Sequence, residues 1–514
     1  MVSPFEAGMF SGPWRSLLSL REDVHVEETA EGDLVLHGRW GDVLLRQPDP
    51  VVRGVLNRMS LGPISLSNAV SGHGGGAHGA AAVLRVLDRI EPLVVRTVGR
   101  SDGRLLVSVA PIAPAARLRP EPLPADRPIR LSRFAMVRTD GSGYILESPL
   151  SLHRATLHHP GAVRMIGMLA RATTTAEALG DPPDDRLLVD ALVLLTAAGL
   201  VVRGEHAAAP AEKATFAEDT DPALAAWSPL DLMFHTRSTL GRHDHDFGAT
   251  YPLGTGRSPE PVVRPAADGP VIALDRPAWE EILGVDPPLS VAVEGRRTAR
   301  RYTGEPVSLR ELGELLYRTA RVRSLVLRQD GEEPSASSRP YPSGGSSYEL
   351  EIYMTTTGGR DLPGGVYHYD PLGHRLEVVS TDPAIVAELL ENARTAADAS
   401  GTAAVLLTMT ARFRRVSWKY RGPAYALMLK NLGALTQTLY LVATAMGLSA
   451  SPLGAGDVDT SARALGVDWR VESSLGELLI GRPGTSSGDT GRLPVNDAAW
   501  AERAAAYLGV KRGG

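Results

Sequence analysis

With 514 residues the chain exceeds one compact domain, and about two to four domains are expected. A formal net charge of -5 argues against a nucleic-acid-binding surface spread over the whole molecule. The absence of cysteine excludes disulfides, thiolate zinc sites, iron–sulfur clusters and a cysteine nucleophile.

The N-terminal stretch MVSPFEAGMFSGPWRSLLSLREDV has no basic start followed by an unbroken apolar run, so it does not read as a signal peptide. Residues 431–456 carry no charge but contain Asn431, Thr436, Gln437, Thr438 and Thr444. That composition fits a buried amphipathic helix ending near Gly447 better than a membrane span. A cytoplasmic protein is expected.

In chain order, DLVLHGRWGDVLLRQ alternates like a hairpin with Gly41-Asp42 at the turn. AAAVLRVLDRIEPLVV has helical spacing and then becomes strand-like. The preceding SGHGGGAHG, 71–79, lacks the Gly-Lys-Ser/Thr of a P-loop and reads as a flexible loop. EPLPADRP, 121–128, reads as a linker. RLSRFAMVRTDGSGYILESP predicts a hairpin turning at Asp140, Gly141, Ser142 and Gly143. Two helical patterns follow, GAVRMIGMLARA and DDRLLVDALVLLTAAGLVV. The second puts Leu187, Leu188, Ala191, Leu192 and Leu195 on one face, with Gly199 as the stop. Blocks 1–125 and 126–215 each suggest a small winged-helix-like module, and the two read as candidate tandem copies.

Residues 216–287 read as a linker and connecting segment. Their His243, Asp244, His245 and Asp246 are neighbours on an extended stretch, where side chains project apart. A hydrogen-bonded loop is expected there rather than a metal site. For Arg237 and Arg242, anion binding and salt bridging are equally open. From 288 to 495 the pattern is α+β, and 496–514 is a C-terminal helix or tail. Ser308 and Glu311 form a capping-box pattern, and Asp382-Pro383 starts another helix.

Three separated stretches carry chemistry. RRTARRY, 296–302, offers arginine forks that match phosphate, with a Thr298 hydroxyl beside them. RPYPSGGSSY, 339–348, places Ser343 beside Gly344 and Gly345, whose backbone N–H groups can approach a flat ligand. SASPLGAGD, 449–457, reads as a small-residue loop able to pass over a planar ring. Each stretch alone is also compatible with an ordinary surface cluster, turn or connection.

Together with GGVYHYDP, KYRGPAY, NLGALTQTLYLVATAMGLSASPLGAGD and GELLIGRP, these stretches resemble the flavin-dependent nitroreductase-like family. The closer likeness is to its SagB-type branch, the azoline dehydrogenases of modified ribosomal peptides. The resemblance covers about 290–485. DLMFHTRSTLGR is similar to the segment preceding this domain in larger members, and the N-terminal half resembles their winged-helix-like peptide-recognition modules.

The resemblance implies an α+β fold with a mostly antiparallel central sheet and FMN at a homodimer interface. It implies that Arg296, Arg297, Thr298 and Arg300 meet the phosphate and flavin edge. Pro342, Ser343, Gly344 and Gly345 would reach FMN, in the partner subunit for instance. Pro452, Leu453 and Gly454 would cover the ring, and Arg482 or Arg492 would complete the phosphate site. A precursor peptide is the implied substrate, with a cyclodehydratase as a candidate partner.

The same resemblance implicates Lys419 and Tyr420 in catalysis. Oxidising a thiazoline or oxazoline to thiazole or oxazole removes a proton α to a carbonyl and a hydride, the hydride going to the flavin, with oxygen as the expected final acceptor. The proton needs a base, and lysine and tyrosine are poor bases near neutral pH unless tuned by burial or neighbouring cations. Arg414, Arg415 and Arg421 stand close in sequence. Which of the pair is the base stays open. No dinucleotide fingerprint is apparent, which disfavours a bound nicotinamide. The rival readings are a nitroreductase-like flavoenzyme acting on another peptide or small metabolite, and a non-catalytic peptide-binding scaffold.

Overall fold

A computed structural model describes residues 15–512 except 72–76, 100–103, 142, 180–185, 206–209, 244, 255–259, 299, 328–333, 360, 400–402, 455 and 485–498. Ser142, Asp244, Arg492 and most of the glycine-rich 71–79 stretch lie outside the described residues. The chain divides after Asp246 into two compact units.

The first unit repeats one order of elements. Strand Arg15–Leu20 is followed, after a three-stranded excursion, by helix Pro50–Met59, strand Ile64–Ser65, helix Leu66–Ser71, helix Ala77–Arg89 and strand Val94–Gly99. Strand Pro128–Leu131 is followed by a second excursion, helix Pro160–Met168, strand Thr173–Thr174, helix Thr175–Leu179, helix Arg186–Ala197 and strand Val201–Arg203. In each copy the first strand sits between the last two, antiparallel to both. Both leading helices carry proline at their start, where its missing N–H costs nothing.

The copies share a sheet across residue 125. Strand Leu105–Pro111 pairs with His153–Leu157, which extends the first copy's sheet to seven strands. An open sheet edge exposes unpaired backbone groups, and the second copy's hairpin covers this one. The hairpin predicted in 33–47 forms, but its turn is Arg39-Trp40. Gly41, at φ 106°, begins the return strand, where only glycine adopts that backbone readily. Leu187, Ala191, Leu192 and Leu195 are buried, and Gly199 ends their helix region at φ 71°.

His243 and His245 bond to backbone. Nδ1 of His243 accepts from the Gly241 N–H, and the His245 ring nitrogens lie 2.8 and 3.2 Å from the carbonyls of Asp246 and Arg237. Arg237 pairs with Glu147 at 3.2 Å, and Arg242 donates to the Leu150 carbonyl at 2.8 Å. Both arginines are structural here. Among the described residues, no group of three or more His, Asp or Glu is arranged to hold a metal.

The second unit is an α+β layer structure around an antiparallel seven-stranded sheet. Its order is Val271–Ala273, Arg375–Ser380, Gly365–Asp370, Leu350–Thr356, Val405–Arg412, Glu472–Gly481 and Ser449–Leu453. One face packs under helix Leu309–Ala320 and the long helix Ala424–Ala445. The other packs under Pro383–Ala397 and Val458–Leu465. Strand Leu350–Thr356, covered on both faces, is therefore buried at every residue.

Local signals hold in this unit. Ser308 and Glu311 form the reciprocal capping box, and Asp382 caps its helix with Pro383 at the first position. The stretch 216–287 is more than a connection. Helix Pro229–Arg237 belongs to the first unit, while Val271–Ala273 is an edge strand of the second unit's sheet. A three-residue strand, Val-Ile-Ala, is too short to show a periodic signal, and its ladder partner is about a hundred residues away.

SASPL is likewise a strand. Ser449–Leu453 pairs with Glu472–Gly481 at the sheet edge, where Pro452 is tolerated, and only the residues after Leu453 leave the sheet as a loop. Among the described residues no helix is long and apolar enough to cross a membrane.

Candidate active site

Strand Val405–Arg412 runs into a short helix, Phe413–Ser417, and the chain then turns at Lys419 and Tyr420. Both backbone N–H groups donate to the Val416 carbonyl, at 3.0 and 2.9 Å. Buried Arg415 anchors this turn by donating to the carbonyls of Ser347 (2.9 Å) and Glu260 (3.0 Å). Burial, reinforced by Arg412 and Arg339, pushes its guanidinium down to about 10.

Tertiary packing sets the Lys–Tyr pair on the glycine loop. Lys419 Nζ donates to the Gly345 carbonyl at 3.3 Å. A Cβ on Gly345 would overlap the Tyr420 hydroxyl, and Gly345 also holds φ 63°. The loop is tied to the long helix through Asn431. The Gly344 N–H donates to Asn431 Oδ1 (2.9 Å), while Asn431 Nδ2 donates to Ser343 Oγ (3.1 Å) and Glu349 Oε1 (2.9 Å). Burial raises the Glu349 carboxyl above its usual range, against the hydrogen bonds from Asn431 and Ser343. Pro342 stands exposed at the loop's start.

The neighbouring arginines do not depress Tyr420. Its phenol is pushed up, first by burial and then by Tyr251. The guanidinium of Arg415 is committed to Ser347 and Glu260, which removes the tuning that sequence proximity suggested.

A cleft of about 460 Å³ opens along another stripe of the same long helix. Leu429, Leu432, Gly433, Thr436, Gln437 and Tyr440 line one side at helical spacing. Met409, Gly476 and Glu477 from the sheet, with Pro452 and Leu453, line the other. Arg296 lies at one side, its guanidinium 4.8 Å from the Tyr440 ring centroid. The Tyr440 hydroxyl donates to Thr298 Oγ1 at 2.7 Å, and Thr298 bridges to Ala450.

The cleft falls within the size range of cofactor pockets, roughly 300–1,000 Å³. A Cβ on Gly433, which lines the cleft, would meet open space, so that side of the cleft is open for a flat ring. Arg297 and Arg300 are exposed near its Arg296 end in sequence, and neither makes an ion pair among the described residues. This donor set suits an anionic, planar group such as FMN. Arg482 is instead paired with Glu311 at 2.8 Å.

The predicted residues thus separate into two groups in one chain. Arg296, Pro452 and Leu453 line the cleft, with Thr298 held through Tyr440. Lys419, Tyr420, Ser343, Gly344 and Gly345 cluster at the start of the long helix, outside the cleft lining. Sequence reasoning missed Tyr440, Asn431, Glu349 and Glu477. Asn431 was visible as an amide in a largely apolar helix; the others carried no local signal.

Residues 293–481 match the nitroreductase family model. They form a nitroreductase-family domain. Residues 129–244 match the model of the cyanobactin oxidase ThcOx. Among curated relatives, a Methanocaldococcus jannaschii protein named as a nitroreductase is 28% identical over 163 residues, spanning 31% of this chain and 75% of its own. The microcin B17-processing protein McbC of Escherichia coli is 30% identical over 158 residues, 29% of this chain and 57% of McbC. The match to McbC thus covers just over half of that protein.

Solved structures that align include a nitroreductase-type protein from Ralstonia eutropha, at 24% identity and TM-score 0.34, covering 45% of this chain and all of that one. The E. coli McbBCD microcin synthetase complex with truncated pro-MccB17 aligns at 21% identity and TM-score 0.32, covering 52% and 95%. The nitroreductase-family domain, the ThcOx match and the McbC likeness agree with a nitroreductase-like azoline oxidase of the microcin and cyanobactin type.

Proposed function

We propose that this chain is an FMN-dependent azoline dehydrogenase acting on a ribosomally made precursor peptide. The observation that carries the reading is the seating of Lys419 and Tyr420 on Gly345 within a nitroreductase-family domain. The likeness to ThcOx and McbC supports the substrate class.

Arg296, Arg297, Thr298 and Arg300 would hold the phosphate end of FMN, and Pro452, Leu453, Gly454 and the open Gly433 its ring. Bound FMN supplies the two-electron acceptor, with oxygen as the proposed terminal oxidant. Lys419 takes the proton from the ring carbon α to the carbonyl. Tyr420, its phenol pushed up by burial, works protonated and donates a hydrogen bond to the substrate. The Pro342–Gly345 loop and the Lys–Tyr pair lie outside the cleft of their own chain, which supports a homodimer that assembles the two groups across subunits.

The duplicated N-terminal elements would bind the leader peptide by strand addition beside a helix. A cyclodehydratase is the proposed supplier of the azoline. The expected result is a yellow purified protein with flavin absorption bands that removes two hydrogens from an azoline peptide, read by mass. A colourless protein that FMN cannot reconstitute, or a yellow one that leaves azolines untouched while reducing nitroaromatics, would sink it.

A further inference from the structure

Residues 245–292 lie outside both matched segments, yet they reach the Lys–Tyr turn, Glu260 through Arg415 and Tyr251 directly. The Tyr251 backbone N–H donates to the Lys419 carbonyl at 3.2 Å. Lys419 is therefore held from two sides, by Tyr251 at its carbonyl and by the Gly345 carbonyl at its Nζ. The Tyr251 ring meets Trp418 edge-on, with centroids 4.9 Å apart and planes at 76°.

Tyr251 adopts φ 48°, a left-handed backbone that non-glycine residues rarely adopt. A tight turn follows, closed by the Gly254 N–H on the Tyr251 carbonyl at 2.9 Å. The residue meets the turn while remaining 42% exposed. Beside burial, which acts first, the charge interaction with its phenol also raises Tyr420.

We propose that Tyr251 is a positioning residue for the proton-handling pair, clamping the 418–420 turn through its backbone and its ring on Trp418 and setting the surroundings of the Tyr420 phenol. This rests on the reading of Lys419 and Tyr420 as that pair. The test compares full-length holoenzyme variants Tyr251→Ala, Tyr251→Phe and Lys419→Ala on an azoline peptide, with flavin occupancy and melting temperature measured for each.

Tyr251→Ala should lower kcat roughly ten- to hundredfold, as a small misplacement does, with KM within about twofold and flavin occupancy unchanged. Tyr251→Phe keeps the ring on Trp418 and should restore most of kcat, while the alkaline limb of the pH–rate profile moves to lower pH. If Lys419→Ala is inactive but both Tyr251 variants keep wild-type kcat and pH profile, the positioning role is overturned alone. Equal losses of flavin and melting temperature in both Tyr251 variants would also overturn it, in favour of a merely structural part. A fully active Lys419→Ala would remove the pair itself, and this proposal with it.

Discussion

The Tyr420 hydroxyl rests against the Cα of Gly345, in space that any side chain would occupy. Gly345 is needed twice, for that contact and for its φ of 63°. Gly345→Ala should therefore displace Tyr420 and cut azoline oxidation roughly 10²-fold, with the flavin bands retained. Steady-state kinetics beside a visible spectrum checks this; unchanged turnover would mean that Tyr420 has room elsewhere.

Removing the chemistry without moving the backbone should separate binding from catalysis. Lys419→Ala is expected to lose about 10²–10⁴ in kcat. Tyr420→Phe should lose less, since a phenol raised by burial serves as donor and not as base. Both should keep FMN and peptide affinity. A larger loss in Tyr420→Phe would reverse the assignment of the two roles.

Asn431 satisfies the Gly344 N–H, Ser343 and buried Glu349 together. Asn431→Leu should leave the Gly344 N–H and Glu349 Oε1 without it, at a cost of roughly 1–3 kcal/mol for each buried unpaired group. Thermal melting of the holoprotein would register the drop, and a melting temperature equal to wild type would show the loop held by other contacts.

Glu477 lines the cleft beneath its rim, and burial, with Asp457 adding and Ser461 opposing, pushes its carboxyl up to about 7. An acid raised from 4.5 to about 7 on folding loses stability as pH rises through that window, by about 3 kcal/mol once it is charged. Glu477→Gln should consequently stabilise the protein at pH 8 and change little at pH 4.5. Parallel melting curves of variant and wild type across that range would refute the shift.

Arg296 stacks on Tyr440 at the cleft, whereas Arg482 is paired with Glu311. Arg296→Ala should weaken FMN binding about tenfold or more, the worth of one charge-assisted hydrogen bond. Arg482→Ala should leave FMN affinity within about twofold. Flavin titration by fluorescence distinguishes them, and the opposite ranking would restore Arg482 to the phosphate site.

Caps, turns and helices of the catalytic unit were legible because each depends on neighbours within about four residues. Ser308 with Glu311, Asp382 with Pro383, and the apolar run of Ala424–Ala445 are of this kind. The Gly41-Asp42 turn was misplaced by two residues, because glycine at positive φ serves a strand's start as readily as a turn's centre. SASPL read as a loop because a proline and small residues hide an edge strand whose ladder lies wholly on one side.

By itself, the sequence determined the local caps and helices, the ordered motifs and the Lys419–Tyr420 dipeptide, and the antiparallel α+β sheet was implied by the resemblance those motifs carry. Caps, helices and motifs are written in local periodicity, turn chemistry or residue identity. Only the tertiary structure decided that Gly345 lies beneath Tyr420, that Asn431 joins Ser343 to Glu349, and that Tyr251 clamps Lys419 from outside the matched domain. Those contacts join residues about 75 to 170 positions apart. They exist only once the sheet has closed and the long helix has packed on it, so no short window of sequence contains both partners.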